Sequence, residues 1–267
     1  MAGDNFITRM EDDWTSFGLG LEWFAGYDSY DVIALTILSQ GPSLYLLVAF
    51  YDVPLIAILP FLLIDSVVVF VSFRLVRPLS SFRYLSSRRE ASSRVANSDI
   101  LSSITIQTHT VLLAALVYAV TIFTAYRTYL PRFLITYFNN LPRISAVHSP
   151  FYVTLFPATI LVGLAIKTFI FTPAVAISTE DEQDIFDAQT ASFWETLWFN
   201  IWGYGARTKL VIKRTIIIII VSGVSTFLNT FLTIDGVEFM GSIAYTALVI
   251  SASGFSCIAL GIVAAAV

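Results

Sequence analysis

Asp65, Gln107, His109 and Lys167 are the residues best equipped for chemistry in a chain otherwise dominated by long runs of Leu, Ile, Val and Phe. An ionisable group near the middle of a membrane span costs several kcal/mol unless it faces protein, water or a counter-charge. Counting helix rise from the expected span ends places Asp65 about 12 Å below the cytoplasmic boundary, His109 about 7 Å and Lys167 about 6 Å, with Gln107 near their level. All lie in the cytoplasmic half, so the second, third and fourth spans can gather the four side chains into one polar cluster. The functional reading is a proton or ion relay, or the floor of a cavity open to the cytoplasm. The structural reading has Lys167 snorkelling to the headgroups, His109 at the interface, and Asp65 protonated or paired across helices.

The tetrad Gln40-Gly41-Pro42-Ser43 is a second candidate. Pro42 withholds a backbone donor and clashes one turn back, so a kink or an unwound turn is expected in the first span. Broken helices serve transporter sites because their freed carbonyls can coordinate ions, although proline kinks also occur in ordinary spans. Near the C-terminus, Ser253, Cys257, Gly261 and Ala265 recur every fourth residue. Such a stripe lets helix backbones approach closely and reads as a packing face, inside the bundle or toward a partner. Cys257 is the sole cysteine, so neither an intrachain disulfide nor a Cys-based metal cluster can form.

Familiar catalytic spacings are missing. The histidines are His109 and His148 alone, and there is no HExxH, no Asp-rich magnesium motif, no Walker A loop and no G-x-S-x-G elbow. No metal or other cofactor is expected, and an enzyme would need an active site of unrecognised type.

The elements that must position these residues are membrane spans. A chain with 57% hydrophobic and 13% charged residues and a mean hydropathy of +0.78 cannot close around one water-soluble core without leaving large apolar patches. A helix crosses hydrocarbon with about 20 apolar residues. Six stretches meet that length: Val32 to Tyr51, Leu55 to Phe73, Ile104 to Tyr126, Phe151 to Phe171, Thr215 to Ile234 and Ser242 to Val267. The expected fold class is all-α, a polytopic integral membrane bundle of about six helices. Asp52-Val53-Pro54 is all that separates the first two, which predicts a tight hairpin.

Lys and Arg are retained on the cytoplasmic side of membranes, which orients the chain. Arg74, Arg77, Arg83, Arg88, Arg89 and Arg94 crowd between the second and third spans, and Arg207, Lys209, Lys213 and Arg214 precede the fifth. Placing both groups inside leaves Arg127, Arg132 and Arg143 outside and makes both termini cytoplasmic. The resulting organisation is an N-terminal segment over 1–31, partly interfacial; a hairpin of spans over 32–73; a basic cytoplasmic loop over 74–103; two spans and an outer loop over 104–171; a cytoplasmic segment over 172–214; and the last two spans over 215–267. Met1 to Asp13 is polar and acidic, unlike a signal peptide, so the first span is expected to be retained and an endomembrane, the endoplasmic reticulum or a related compartment, is the default location.

Within the segment over 172–214, Trp194, Trp198 and Trp202 follow one another at helical spacing, opposite Ser192, Glu195, Thr196 and Asn200. Tryptophan favours the headgroup layer, so this predicts an amphipathic helix lying on the cytoplasmic surface, or else one packed on a partner. The acidic run Glu180, Asp181, Glu182, Asp184 and Asp187 precedes it as a solvated linker. This linker, the Trp-bearing helix and the tract Trp202-Gly-Tyr-Gly-Ala-Arg-Thr-Lys-Leu-Val-Ile-Lys-Arg-Thr215 resemble a stretch of an uncharacterised multispanning membrane protein family of filamentous fungi. The resemblance covers the C-terminal third and implies a multispanning fold without implying an activity.

The expected partners are the lipid bilayer and a membrane protein; a net charge of −4 and a pI near 5.1 argue against nucleic acid. The functional expectation is a non-enzymatic accessory or scaffold subunit whose cytoplasmic loops engage lipid or a partner. Its alternatives are a small transporter or channel using Asp65 and the broken first helix, and a lipid-modifying enzyme with an unrecognised site.

Overall fold

The computed structural model describes residues 20, 25–76, 101, 103–139, 141, 152–177, 192–194, 196–197, 205–234 and 236–266. Among them are α1 (Ser29–Phe50), α2 (Leu55–Val76), α3 (Ile104–Thr128) and the short α4 (Leu130–Tyr137). There follow α5, built from Tyr152–Ile166, a π turn at Lys167–Phe171 and Thr172–Val175, then α6 (Ala206–Thr233) and α7 (Phe239–Ala266). Six of these helices are long and apolar enough to cross a membrane, α4 being the exception. The protein is an all-α, multi-pass integral membrane bundle.

Five of the six long helices close a ring in the order α1, α5, α3, α7, α6 and back to α1, while α2 stands outside it against α1. Small residues make the ring tight. Ala114 and Ala115 of α3 are buried, and Ser256 of α7 donates to the Ala114 carbonyl at 3.1 Å. On the neighbouring face Gly163 of α5 sits so close that a Cβ there would lie 2.8 Å from the Ala115 nitrogen and the Val111 oxygen. Close backbone approach of this kind replaces the hydrophobic driving force that is missing between helices in lipid.

Asp28 opens α1 by accepting from the Tyr30 and Asp31 backbone N–H groups, both at 3.1 Å, which satisfies donors that the first turn leaves free. At its far end α1 reverses into α2 through Tyr51–Pro54, with Asp52 in the left-handed region at φ 59. Pro42 sits inside α1 without ending it. At the same end of the bundle, the end of α4 and the residues after it pair with the turn between α6 and α7: Asn139 N–H donates to the Gly236 carbonyl at 2.8 Å and Glu238 N–H to the Tyr137 carbonyl at 2.9 Å.

The largest difference from the expected span boundaries is at the start of the fifth span, the others shifting by four residues or fewer. The fifth span begins at Ala206 rather than Thr215, so Arg207, Lys209, Lys213 and Arg214 lie on α6 itself and not in a loop. At 28 residues α6 is about 42 Å long, more than the hydrocarbon core needs, so its first turns fit the headgroup layer. Its buried positions Arg207, Val211, Arg214, Ile218, Val221 and Ser225 step at helical spacing, so the basic tract continues the same inward-facing stripe as the apolar run.

Candidate functional site

The densest polar constellation lies at the end of the bundle where α1, α3 and α6 begin. Its centre is Arg214, buried in the bundle. The guanidinium grips both oxygens of Asp31 at 3.2 Å, and its Nη1 donates to the Phe169 carbonyl at 2.7 Å. That carbonyl is available for a local reason. Pro173, four residues on, has no N–H to offer it, and the π turn at Lys167–Phe171 carries the backbone past the gap. The Arg214 carbon also stands 4.7 Å from the Phe169 ring centre and 5.1 Å from that of Tyr27, cation–π contacts with two rings that meet each other edge to face, their centres 5.2 Å apart.

A two-pronged Arg–carboxylate pair, desolvated and with a further hydrogen bond to a carbonyl, meets the conditions under which a buried charge is tolerated. It joins α1, α5 and α6 at one point. One and a half to two turns earlier, Arg207 does similar work, donating to Ala264 at 2.8 Å and to Ile177 at 2.9 Å. Both acceptors lie at the C-terminal ends of helices, of α5 and α7, where carbonyls lack partners within the helix and a cation is favoured by the helix dipole. Lys167, also buried, donates to the Gln107 side-chain oxygen at 3.0 Å, and the Gln107 amide turns back to the Leu101 carbonyl.

Of the four residues singled out by depth, then, Gln107 and Lys167 meet. His109 is exposed and its Nδ1 lies 2.6 Å from the Thr105 carbonyl of its own helix. Asp65 is on peripheral α2, where its Oδ2 accepts from Gln40 Nε2 of α1 at 2.7 Å. The bridge joins the acidic residue to the first residue of the predicted helix break. The rest of that tetrad divides: Gly41 is half-buried and open on its Cβ side, Ser43 is buried, and the Pro42 carbonyl accepts from the Tyr245 hydroxyl of α7 at 2.6 Å.

Ser253 and Cys257 of the small-residue stripe are buried inside the ring, Gly261 faces Val211 of α6, and Ala265 is exposed. Of the interfacial anchor, Trp194 is 74% exposed, next to the equally exposed Phe193. Trp198 and Trp202 lie outside the described residues, as do Arg77, Arg83, Arg88, Arg89 and Arg94, the acidic run Glu180 to Asp187, and His148. Among the described residues no group of three or more His, Cys, Asp or Glu is placed to hold a metal ion.

Sequence reasoning did not pick out Asp31, Arg214 or Arg207 as partners. Two signals for them were present: the seven-residue interval between Arg207 and Arg214, which puts both on the buried stripe of α6, and Pro173, which leaves the Phe169 carbonyl in need of a donor. No protein-family model, curated protein or solved structure matches this chain.

Proposed function

We propose that this is a non-enzymatic accessory or scaffold subunit of an endomembrane, with both termini cytoplasmic and with loops that engage lipid or a membrane protein partner. One observation supports the reading above others: four charged side chains that enter the spans are engaged in bonds within the protein. Arg214 holds Asp31, Arg207 holds two carbonyls, Lys167 holds Gln107, and Asp65 holds Gln40. Groups committed in this way stabilise a fixed bundle. A relay needs a group that exchanges partners during the cycle.

A small transporter is the second reading, favoured by the position of the Asp65–Gln40 bridge beside Pro42. The test is a panel of proton and ion fluxes in liposomes, run on wild type and Asp65→Asn. Asn keeps an oxygen to accept from Gln40 but cannot ionise, so the subunit reading expects no flux from either protein and a stability change below about 1 kcal/mol. A flux carried by wild type and lost in Asp65→Asn would replace this reading with the transporter.

Orientation has its own measurement. In a Cys257→Ala background and sealed vesicles with the cytoplasmic face inward, cysteines at Ser87 and Thr190 are expected to resist an impermeant thiol reagent, while one at Glu238 reacts. The opposite pattern would invert the topology and with it the side on which partners bind.

A further inference from the structure

We infer that the bundle carries a lateral site for a single hydrocarbon chain of a membrane lipid, in a cavity of about 360 Å³ between α1, α2, α3 and α5. This goes beyond the subunit reading and does not depend on it. The volume falls within the range of small-ligand sites, roughly 300–1,000 Å³, and exceeds the packing defects expected in a close-packed interior. Its walls are mostly aliphatic, with the aromatic side chains of Tyr45, Tyr118 and Tyr245 on the ring side. An apolar cavity of this kind does not hold water well, because a buried water needs several polar partners.

Position decides the occupant. Leu55 and Leu59 of α2 line the cavity and are at least half exposed, and Pro157 of α5, also on its wall, is exposed, so the space reaches the outer surface between α2 and α5. That surface belongs to membrane-spanning segments, where the surrounding medium is acyl chain. The gap exists because α2 leans on α1 and has no comparable contact with α5. Gly41 supplies the second half of the geometry. A Cβ built on it would meet nothing within 4 Å, so the middle of α1 is left bare where it faces the cavity. The Tyr245 hydroxyl is turned away to the Pro42 carbonyl, which keeps that polar tip satisfied by the protein. What remains is an aliphatic and aromatic slot, open sideways, suited to a chain with no polar group along its length.

The experiment uses the purified full-length protein alone, reconstituted in phosphatidylcholine vesicles that include phosphatidylcholine with a diazirine midway along one acyl chain. Photolabelling followed by mass spectrometry is expected to mark Tyr118, which is buried and out of reach of annular lipid touching the outer faces, and the half-buried Tyr45, together with outward residues of α2 such as Ile64. Filling the slot with Gly41→Leu is expected to abolish the label on Tyr118 and Tyr45 while leaving that on Ile64 unchanged. Ala158→Leu, which fills from the α5 side, should give the same loss and covers the case in which the Gly41 variant does not fold. An unlabelled Tyr118 in the wild type would overturn the site, whether the slot then closes in the bilayer or awaits a partner's side chain. So would a Tyr118 label that survives in a folded filling variant.

Discussion

Replacing Arg214 with alanine is expected to destabilise the bundle by about 3–5 kcal/mol, the cost of removing one member of a buried ion pair. The loss is large because two groups are stranded together. Asp31, 1% exposed, would remain in the interior without its counter-charge, and the Phe169 carbonyl would lose the donor that replaces the N–H missing from Pro173. Arg214→Lys should fall between wild type and alanine, because one ammonium keeps the charge but cannot reproduce the planar fork that reaches Asp31 and Phe169 at once. The informative variant is the double replacement Asp31→Leu with Arg214→Met. Exchanging a whole buried pair for apolar side chains is often neutral, so this protein should recover most of the lost stability. The residue of the loss is the unsatisfied Phe169 carbonyl, about 1–3 kcal/mol. Unfolding in detergent by heat or denaturant measures all of these. An alanine variant within about 0.5 kcal/mol of wild type would mean that the pair is solvated rather than buried.

The spans were readable because the hydrocarbon core sets a length, and uninterrupted apolar runs of that length have few other uses. The start of α6 was not. Four bases within eight residues pull local hydropathy below any span threshold, although Arg207 and Arg214 continue the periodicity of the buried stripe. Hydropathy averages over a window, whereas burial follows the helix face, and the two diverge where a long basic side chain turns inward to a carbonyl or carboxylate.

Depth posed a similar problem for the polar residues. Helix rise gives the level of a side chain but not its direction around the axis. Gln107 and His109 are two residues apart on α3, about 200° around the helix, so while Gln107 reaches Lys167, His109 turns outward. Asp65 has its partner on the adjacent antiparallel helix, as the short turn through Asp52 dictates: hairpin neighbours meet along their whole length. The π turn left one trace in the sequence, Pro173. A proline fixes which carbonyl is orphaned but not which distant side chain will reach it.

Glycines in the spans offer a test of the architecture that needs no knowledge of function. Added methyl groups at Gly41, Gly223 and Gly163 meet three different surroundings: open space, the tip of the Ile250 side chain at 2.8 Å, and the backbone of α3, also at 2.8 Å. Alanine at Gly41 is expected to stabilise by about 0.5–1 kcal/mol, since it removes the entropic penalty of glycine in a helix and displaces no protein atom. Alanine at Gly223 receives the same gain, offset by the shift of one flexible side chain, and should lie near wild type. At Gly163 the opposing atoms are the Ala115 nitrogen and the Val111 oxygen, which cannot move without moving α3. Since α3 is held on its other side by α7 through the Ser256 hydrogen bond to Ala114, the strain has no easy outlet. Overpacking a close interface costs about 1–3 kcal/mol, and Gly163→Ala should reach that range. Thermal unfolding of the three variants side by side should rank them Gly41, Gly223, Gly163 from most to least stable. A Gly163→Ala protein as stable as Gly41→Ala would mean that α3 and α5 do not touch at this level, and the ring would have to be redrawn with another helix between them.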